Sequence, residues 1–312
     1  MDIRILLLLQ DFRNGAGACL TDFFLKMSDI SDMSFVLTAT AVIYWCVSKA
    51  FGQYLLMGWS GSRVVNGLLK VIACVYRPWI RDARIVPDGE AVAKATGYSF
   101  PSGHSMNAAS LYGGGAVRKE LPRALRVVLG VIVALIAFSR NFLGVHTPQD
   151  ILVGAIAGLL IMWLTAKLMK WIEAHPGKDI LVMCVGIGIS VAVAVYASVK
   201  NYPTDYDSAG KLLVDGAKMA NDTFKGVGWC IGFLSGWVLE RRFIGFSTDV
   251  SMTTRLTRLV TGLLGHYAIS LILVPLLKSG IPAAGGTVTS CFLQMFYVSF
   301  VFPWCVKRFE SR

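Results

Sequence analysis

Long apolar stretches alternate with short polar segments along most of the chain. A helix needs about 20 apolar residues to cross about 30 Å of hydrocarbon, and several of these stretches approach that length. The pattern therefore predicts an all-α fold, a polytopic membrane helical bundle. The candidate spans are 34–51, 54–76, 102–118, 124–142, 148–172, 179–199, 222–239, 256–277 and 284–306.

Three segments depart from this pattern. The stretch 102–118 is short and rich in Gly, Ser and Ala, which predicts an interior helix, since small residues allow close helix approach. Residues 1–33 begin with mixed apolar and charged positions, too few to span and without a signal-peptide pattern, so we expect an amphipathic helix in the membrane interface. Residues 200–221 are polar and predict an external loop, with a short helix within it as an alternative.

Composition supports a membrane protein and charge predicts its orientation. The chain is 55% hydrophobic, above the roughly 45–50% of soluble domains. With nine spans, 16 of the 30 basic residues fall on one side of the membrane and 11 on the other, and the contrast is strongest in short loops such as 118–126 and 240–243. Basic short loops remain cytoplasmic. The helix ends on the other side of the membrane, where the three motifs described below lie, are then expected to face outward from the plasma membrane. Membrane lipids are the expected partners. Nucleic acid is not, because no basic and aromatic soluble module is present.

The cysteines and histidines show no ligand or disulfide spacing. None of the seven cysteines forms a C-x-x-C pair, and most lie in apolar stretches, which favours unpaired buried thiols. His175 and His266 also lack ligand spacing. The sequence predicts no metal site and no cofactor, and it carries no signal for an oligomeric state.

The first candidate motif is "KVIACVYRP", residues 70–78. Lys70 and Arg77 are about two helical turns apart and are expected to share a helix face, with the helix ending before Pro78. Two cations near a membrane boundary suit an anion. The alternative is snorkelling, in which a long basic side chain reaches the headgroups.

The second motif is "PSGH", residues 101–104. Pro101 and Ser102 are typical of a helix start, and Gly103 lets the backbone approach a ligand. The exposed N–H groups of such a start bind anions, and His104 lies one turn in. The alternative is a capped helix with one interfacial histidine.

The third motif is "SRNFLGVHTPQD", residues 139–150. Asp150 follows His146 by four residues and can orient its ring, as a carboxylate does for a nucleophilic or basic histidine. The alternative makes Thr147 the N-cap and Asp150 the capping-box acid, which leaves His146 and Arg140 unexplained. All three motifs fall at helix ends on the same predicted side of the membrane. Together they supply three cations, a helix N-terminus, two histidines and a carboxylate, a set of groups that suits phosphoryl transfer.

In this order, K-x6-R-P, P-S-G-H and S-R-x5-H-x3-D closely resemble the motifs of the type-2 phosphatidic acid phosphatase superfamily. The resemblance implies that His146 is the nucleophile and forms a phosphohistidine, that Asp150 orients it, and that His104 is the general acid. It implies no metal. The residues implied to hold the phosphate are Lys70, Arg77, Ser102, Gly103 and Arg140.

The resemblance also divides the chain. It implies a six-helix membrane phosphatase core at 34–199, between the interfacial segment 1–33 and the extracytoplasmic loop 200–221. Residues 222–312 form a C-terminal extension of three helices without a family motif.

A lipid phosphate monoester or diphosphate is the expected substrate, because a headgroup can reach the mouth of membrane helices sideways. Phosphatidic acid, phosphatidylglycerol phosphate, undecaprenyl diphosphate and sphingoid phosphates all fit. Two alternatives remain: a phosphatase of a soluble substrate such as a sugar phosphate, and an anion or lipid transporter, although no internal repeat typical of transporters is visible. The vanadium haloperoxidases of the same superfamily share the motifs but are soluble enzymes, and nine apolar spans argue against that role here.

The predicted orientation can be tested by thiol labelling. In a variant whose seven cysteines are replaced, Ser208→Cys should react with a membrane-impermeant maleimide in intact cells, because residues 200–221 are predicted to face outward. Labelling only after permeabilisation would reverse the orientation.

Overall fold

A computed structural model describes residues 2–281 and 283–310, which are predominantly helical. Within these residues the only β pairing is an isolated bridge between Tyr206 and Leu212. This confirms the predicted all-α class. The helices are α1 (Asp2–Ala16), α2 (Ala18–Asp29), α3 (Met33–Val42), α4 (Lys49–Ala73), α5 (Pro78–Arg81), α6 (Gly89–Lys94), α7 (Gly103–Ala108), α8 (Gly114–Ala116), α9 (Arg123–Phe142), α10 (Pro148–Ala174), α11 (Asp179–Val199), α12 (Gly216–Leu239), α13 (Met252–Ala268), α14 (Val274–Gly280), α15 (Ala283–Phe296) and α16 (Phe302–Glu310).

Several of these helices continue through a π-helical turn. The turns are Ile43–Val47, Ala109–Gly113, Glu240–Ile244, Ile269–Leu273 and Tyr297–Val301. The turn at Ala109–Gly113 joins α7 to α8, so one helical path runs from residue 103 to residue 116. The predicted interior helix is confirmed, because most side chains along this path are buried.

Fewer helices meet the requirements of a crossing helix than the nine predicted. Among the described residues, five are long and apolar enough: Arg123–Phe142, Pro148–Ala174, Asp179–Val199, Met252–Leu277 and Ala284–Glu310. A sixth candidate is the pair Ala18–Asp29 and Met33–Val47, which is bent by 55°. The other predicted stretches are helical but short, like 102–118, or carry internal polar residues, like α4 and α12. The protein is an integral membrane protein.

The chain divides into two compact units, each built from separate stretches of sequence. The first contains Met1–Val36, Val65–Trp163 and Lys200–Ala220, and the second contains Leu37–Val64, Leu164–Val199 and Asn221–Arg312. The predicted domain boundaries remain predictions. Met1, Pro282, Ser311 and Arg312 lie outside the described residues, and so do the outer ends of the predicted segments 1–33 and 222–312.

The N-terminal segment is two helices rather than one. Gly17, with φ of +80°, separates α1 from α2. In the first unit, Phe24 of α2 packs into an apolar cluster with Phe142 and Val145, and Arg13 of α1 donates to the Phe142 carbonyl at 3.0 Å. The segment therefore packs against the end of α9, next to the third motif. Its location in the membrane interface remains a prediction.

The polar segment 200–221 ends in helix, and its last residues belong to α12. Helix α12 begins at Gly216, because the Asp215 carboxylate accepts from the backbone N–H groups of Ala217 at 2.8 Å and Lys218 at 3.3 Å. An N-terminal cap of this kind satisfies donors that a helix start leaves unpaired.

Two glycines of α10 allow the path that starts with α7 to come very close. A Cβ atom at Gly154 would lie 2.6 Å from the Ser102 carbonyl oxygen, and one at Gly158 would lie 2.7 Å from the Ala109 Cβ. The backbone N–H of Ser102 donates to the Asp150 carbonyl at 2.9 Å. This packing brings the start of the second motif next to the end of the third.

Adding a methyl group at Gly154 should therefore destabilise the protein. Because the atom it would meet is backbone, Gly154→Ala should cost about 1–3 kcal/mol, as overpacking does. The midpoint of thermal unfolding in detergent should fall. The matched control is Gly130→Ala in α9, which has nothing within 4 Å and should not lower the midpoint. Equal midpoints for the two variants would contradict the packing argument.

Candidate active site

His146 lies in the short turn between α9 and α10. Gly144 adopts φ of +75°, and the N–H groups of Val145 and His146 both donate to the Arg140 carbonyl, at 3.1 and 3.2 Å. The Asn141 side-chain amide donates to the His146 carbonyl at 2.7 Å. The turn is thus fixed by its own hydrogen bonds, and the His146 side chain is 2% exposed.

Arg77 contacts the outer nitrogen of the His146 ring. Its Nη1 lies 2.9 Å from His146 Nε2 and also donates to the Val145 carbonyl at 2.9 Å. Because a guanidinium has no acceptor, Nε2 must accept this hydrogen bond, which assigns the proton of the neutral ring to Nδ1. Arg77 is 4% exposed and bonded within the protein, so the snorkelling alternative is wrong.

Asp150 and Ser99 lie on the other side of the ring. Ser99 Oγ donates to Asp150 Oδ2 at 2.6 Å and lies 3.3 Å from His146 Nδ1, while Asp150 Oδ2 lies 3.5 Å from the same nitrogen. The serine proton is used toward the carboxylate, so its oxygen is free to accept from Nδ1–H. The carboxylate acts on the ring both directly and through the serine.

Asp150 also forms the capping box of α10. Its Oδ2 accepts from the Thr147 N–H at 2.8 Å, and its own N–H lies 3.4 Å from Thr147 Oγ1. The two interpretations offered by the sequence are therefore compatible, since one carboxylate caps the helix and faces the histidine.

The surroundings of His146 favour its neutral form. Burial lowers the pKa of the imidazole well below its usual range, the positive charge of Arg77 acts in the same direction, and Asp150 opposes both. A neutral ring with a lone pair on Nε2 is the form able to attack an electrophile.

His104, in the first turn of α7, is paired with a carboxylate that sequence reasoning missed. Its Nε2 lies 2.9 Å from Asp32 Oδ1, in the turn between α2 and α3. In the sequence, no carboxylate lies within one helical turn of His104. Asp32 is 72 residues away along the chain, and no local signal links the two positions.

The start of α7 is formed as the second motif predicts. Ser102 is the N-cap and accepts from the Ser105 N–H at 3.3 Å, and Gly103 is the first helical residue. The Ser105 hydroxyl donates to Ser102 Oγ at 3.0 Å. The Ser102 side chain is fully buried and engaged in the cap, which leaves its hydroxyl little freedom.

Lys70 reaches the same region by a different route from the one predicted. Helix α4 ends at Ala73, Cys74 has φ of +47°, and Arg77 is extended rather than helical. The two cations therefore do not share a helix face. Lys70 Nζ donates to the carbonyls of Tyr98 at 2.7 Å and Ser99 at 3.4 Å, immediately behind the serine that contacts Asp150.

Arg140 is a fully buried cation with unused donors. Its Nη1 donates to the Ser28 hydroxyl, but Nε and Nη2 have no partner among the described residues. A buried donor without a partner costs roughly 1–3 kcal/mol, and more when charged. An anion bound beside Arg140 removes that cost.

The predicted site residues thus form two groups within the first unit. His146 and Asp150 meet Arg77 and Lys70 around the "YSF" segment, whereas His104 and Arg140 meet residues of the α2–α3 region. Ser28, Asp32, Ser99 and Asn141 are additional polar contacts of these groups. Among the described residues, no group of three or more His, Cys, Asp or Glu is placed to hold a metal ion, and none of the seven cysteines forms a disulfide.

Two protein-family models match the chain, one in its N-terminal part and one in its C-terminal part. Residues 41–174 match the model of the PAP2 superfamily, and residues 224–312 match the model described as "PAP2 superfamily phosphatase, transmembrane extension". The first match contains all three motifs. The second accounts for most of the C-terminal residues, for which the motifs gave no information.

Individual relatives align over shorter lengths. Phosphatidylglycerophosphatase B of Bacillus subtilis is 36% identical over 121 residues, which is 36% of this chain and 55% of that protein. The undecaprenyl-diphosphatase of Sulfolobus acidocaldarius is 36% identical over 77 residues, 24% of this chain and 35% of that protein. The chain thus spans about half of one relative and about a third of the other.

One solved structure is similar over most of its own length. The crystal structure of a transmembrane PAP2 type phosphatidylglycerolphosphate phosphatase from Bacillus subtilis is 27% identical, with a TM-score of 0.46, and the match covers 56% of this chain and 87% of that one. The two family models together cover more than two thirds of the sequence. The chain belongs to the PAP2 superfamily and carries its transmembrane extension.

Proposed function

We propose that the protein is a membrane phosphatase that hydrolyses lipid phosphate monoesters or diphosphates through a phosphohistidine at His146. The observation that carries the proposal is Arg140, a fully buried guanidinium with two donors that no described residue satisfies. A phosphate group suits a guanidinium fork, because its oxygens accept parallel hydrogen bonds.

The proposed first step is attack by the lone pair of His146 Nε2 on phosphorus. In the substrate complex, the Arg77 N–H group that contacts Nε2 donates to a phosphate oxygen instead, which frees the Nε2 lone pair. As the N–P bond forms and the P–O bond to the leaving group breaks, positive charge develops on the ring. Asp150, directly and through Ser99, holds Nδ1–H and stabilises that charge.

The remaining residues act on the oxygens. The non-bridging oxygens are held by Lys70, Arg77, Ser102, Gly103 and Arg140. His104 donates a proton to the departing oxygen, with Asp32 fixing its ring. In the second step a water gives its proton to His104 and attacks phosphorus, releasing inorganic phosphate and restoring both histidines.

The proposed substrate is a lipid, because the motif residues lie at helix ends of an integral membrane protein, where a headgroup can reach them sideways from the bilayer. Names of relatives, phosphatidylglycerophosphatase B and undecaprenyl-diphosphatase, support the same class. The proposal includes a site on the extracytoplasmic face of the plasma membrane and no requirement for a metal, since basic side chains supply the charge that holds the phosphate.

A phosphate-release screen of purified protein in detergent tests this function. The substrates are phosphatidic acid, phosphatidylglycerol phosphate, an isoprenyl diphosphate, a sphingoid phosphate and a sugar phosphate, each with and without EDTA. Lipid substrates should release phosphate equally with and without chelator, and Arg140→Ala should release none. Preference for the sugar phosphate, or loss with EDTA and recovery with a divalent ion, would contradict the proposal. No release from any substrate would favour transport.

The two histidines should respond differently to the leaving group. His146→Ala should form no phosphoenzyme and release no phosphate, because no other group attacks. His104→Ala should lose roughly 10²–10⁴-fold on a lipid monoester but far less on an aryl phosphate, whose oxygen needs little protonation. Labelled substrate quenched without acid should trap an acid-labile, base-stable adduct in the unmodified protein.

Asp32→Asn provides a control for the histidine roles. It keeps a polar contact to His104 and leaves His146 untouched, so it should lower turnover of the monoester more than that of the aryl phosphate. An adduct in His146→Ala, or the same leaving-group dependence in both alanine variants, would show that the roles are assigned wrongly.

A further inference from the structure

A polar cavity adjoins Arg77 in the first unit. Its volume is about 360 Å³, within the roughly 300–1,000 Å³ typical of small-ligand sites. Arg77, Trp79 and Gly97 form one wall, and Lys211, Asp215 and Lys218 belong to the other. Arg77 also contacts His146 Nε2, so the cavity lies next to the proposed nucleophile.

The wall formed by residues 200–220 is held against the site by specific contacts. Tyr76, which precedes Arg77 in the chain, donates from its Oη to Asp205 at 2.6 Å. The N–H of Tyr98, which follows Gly97, lies 3.3 Å from Met219 Sδ. A Cβ at Gly97 would lie 2.2 Å from the same sulfur. The segment is therefore packed on both loops that carry site residues.

The cavity is positively charged. Arg77, Lys211 and Lys218 are opposed by one carboxylate, Asp215, and that carboxylate already accepts two backbone N–H groups at the start of α12. Lys211 and Lys218 are exposed, and neither ammonium group has a hydrogen bond or ion pair to any described residue. Two unpaired ammonium groups beside a guanidinium favour an anionic ligand.

We propose that Lys211 and Lys218 bind a second phosphate group of the substrate while the first lies at His146. This inference rests on the proposed function and narrows it to lipids that carry two phosphates, either a diphosphate or a phosphodiester headgroup ending in a phosphomonoester. Lysine suits this role, because its ammonium binds phosphate as a point charge without a fixed orientation. Arg77, between the two positions, contacts both phosphates.

Substrate selectivity is the quantity to measure. In neutral detergent free of anionic lipid, kcat/KM is determined for short-chain phosphatidylglycerol phosphate, an isoprenyl diphosphate and phosphatidic acid. For Lys211→Gln and Lys218→Gln, the ratio of a two-phosphate lipid to phosphatidic acid should fall about three- to tenfold each, and further in the double variant. The change should lie mainly in KM, since the lysines do not contact the reacting phosphorus.

Lys26→Gln is the matched control. It removes one exposed lysine from the same unit, does not line the cavity, and should leave every ratio unchanged. A further arm adds phosphatidylglycerol to the micelles. If Lys211→Gln and Lys218→Gln weaken only an activation by that added lipid, the cavity binds a neighbouring headgroup and the proposal is wrong.

The remaining outcomes distinguish failure of the second phosphate site from failure of the phosphatase function. Equal losses on lipids with one and two phosphates, or no loss on either, would overturn the second phosphate site while leaving the phosphatase function intact. Failure of the unmodified protein to release phosphate from any lipid would overturn both proposals. Protein yield and the midpoint of thermal unfolding should be unchanged, because both side chains are exposed.

Discussion

The geometry of the site depends on one residue, Asp150, which joins three elements at a single point. Its carboxylate caps α10 through Thr147 and accepts from Ser99 Oγ, 3.5 Å from the His146 ring, and its carbonyl accepts from the Ser102 N–H at the start of α7. Helix capping, histidine orientation and helix packing are therefore coupled. A displacement of α10 relative to α7 changes the position of the carboxylate and hence the ring.

The close approach of α7 and α10 explains why this coupling is rigid. Gly154 and Gly158 contribute no side chain to this contact, so the α10 backbone meets the Ser102 carbonyl and the Ala109 Cβ directly and little side-chain repacking can absorb a shift. Within a membrane, where lipid is as apolar as the helix surface, such small-residue contacts provide much of the packing energy. The glycines serve the site by fixing where two helices begin.

Spacing along the chain predicted some contacts between the candidate site residues and missed others. His146 and Asp150 are four positions apart at a helix start, and local geometry alone brings them together. Lys70 and Arg77 were placed on one helix face, but α4 ends at Ala73 and the chain turns between them. Spacing identifies a pair only while one regular helix contains both members.

Contacts between distant segments gave no local signal. Ser28 lies at the end of α2 and Asp32 in the turn that follows, and neither position is marked by a local motif, yet they contact Arg140 and His104. Ser99 is next to the second motif, but nothing in its own position indicates that it bridges Asp150 and His146. The apolar pattern likewise predicted helices correctly, but it overestimated how many are apolar enough to cross a membrane, because α4 and α12 carry polar side chains inside them.

Two cations of the second unit form ion pairs within the protein, whereas Arg140 of the first unit has two buried donors without a partner among the described residues. In the second unit, Arg258 is bound by Glu310 and Lys49 by the fully buried Glu240, so these charges are neutralised within the protein. In the first unit, Arg140 has unused donors despite complete burial. An ion pair that is already complete has no need of a ligand. Arg140 lacks such a partner, and this is why an anion is expected in the unit that contains the histidines.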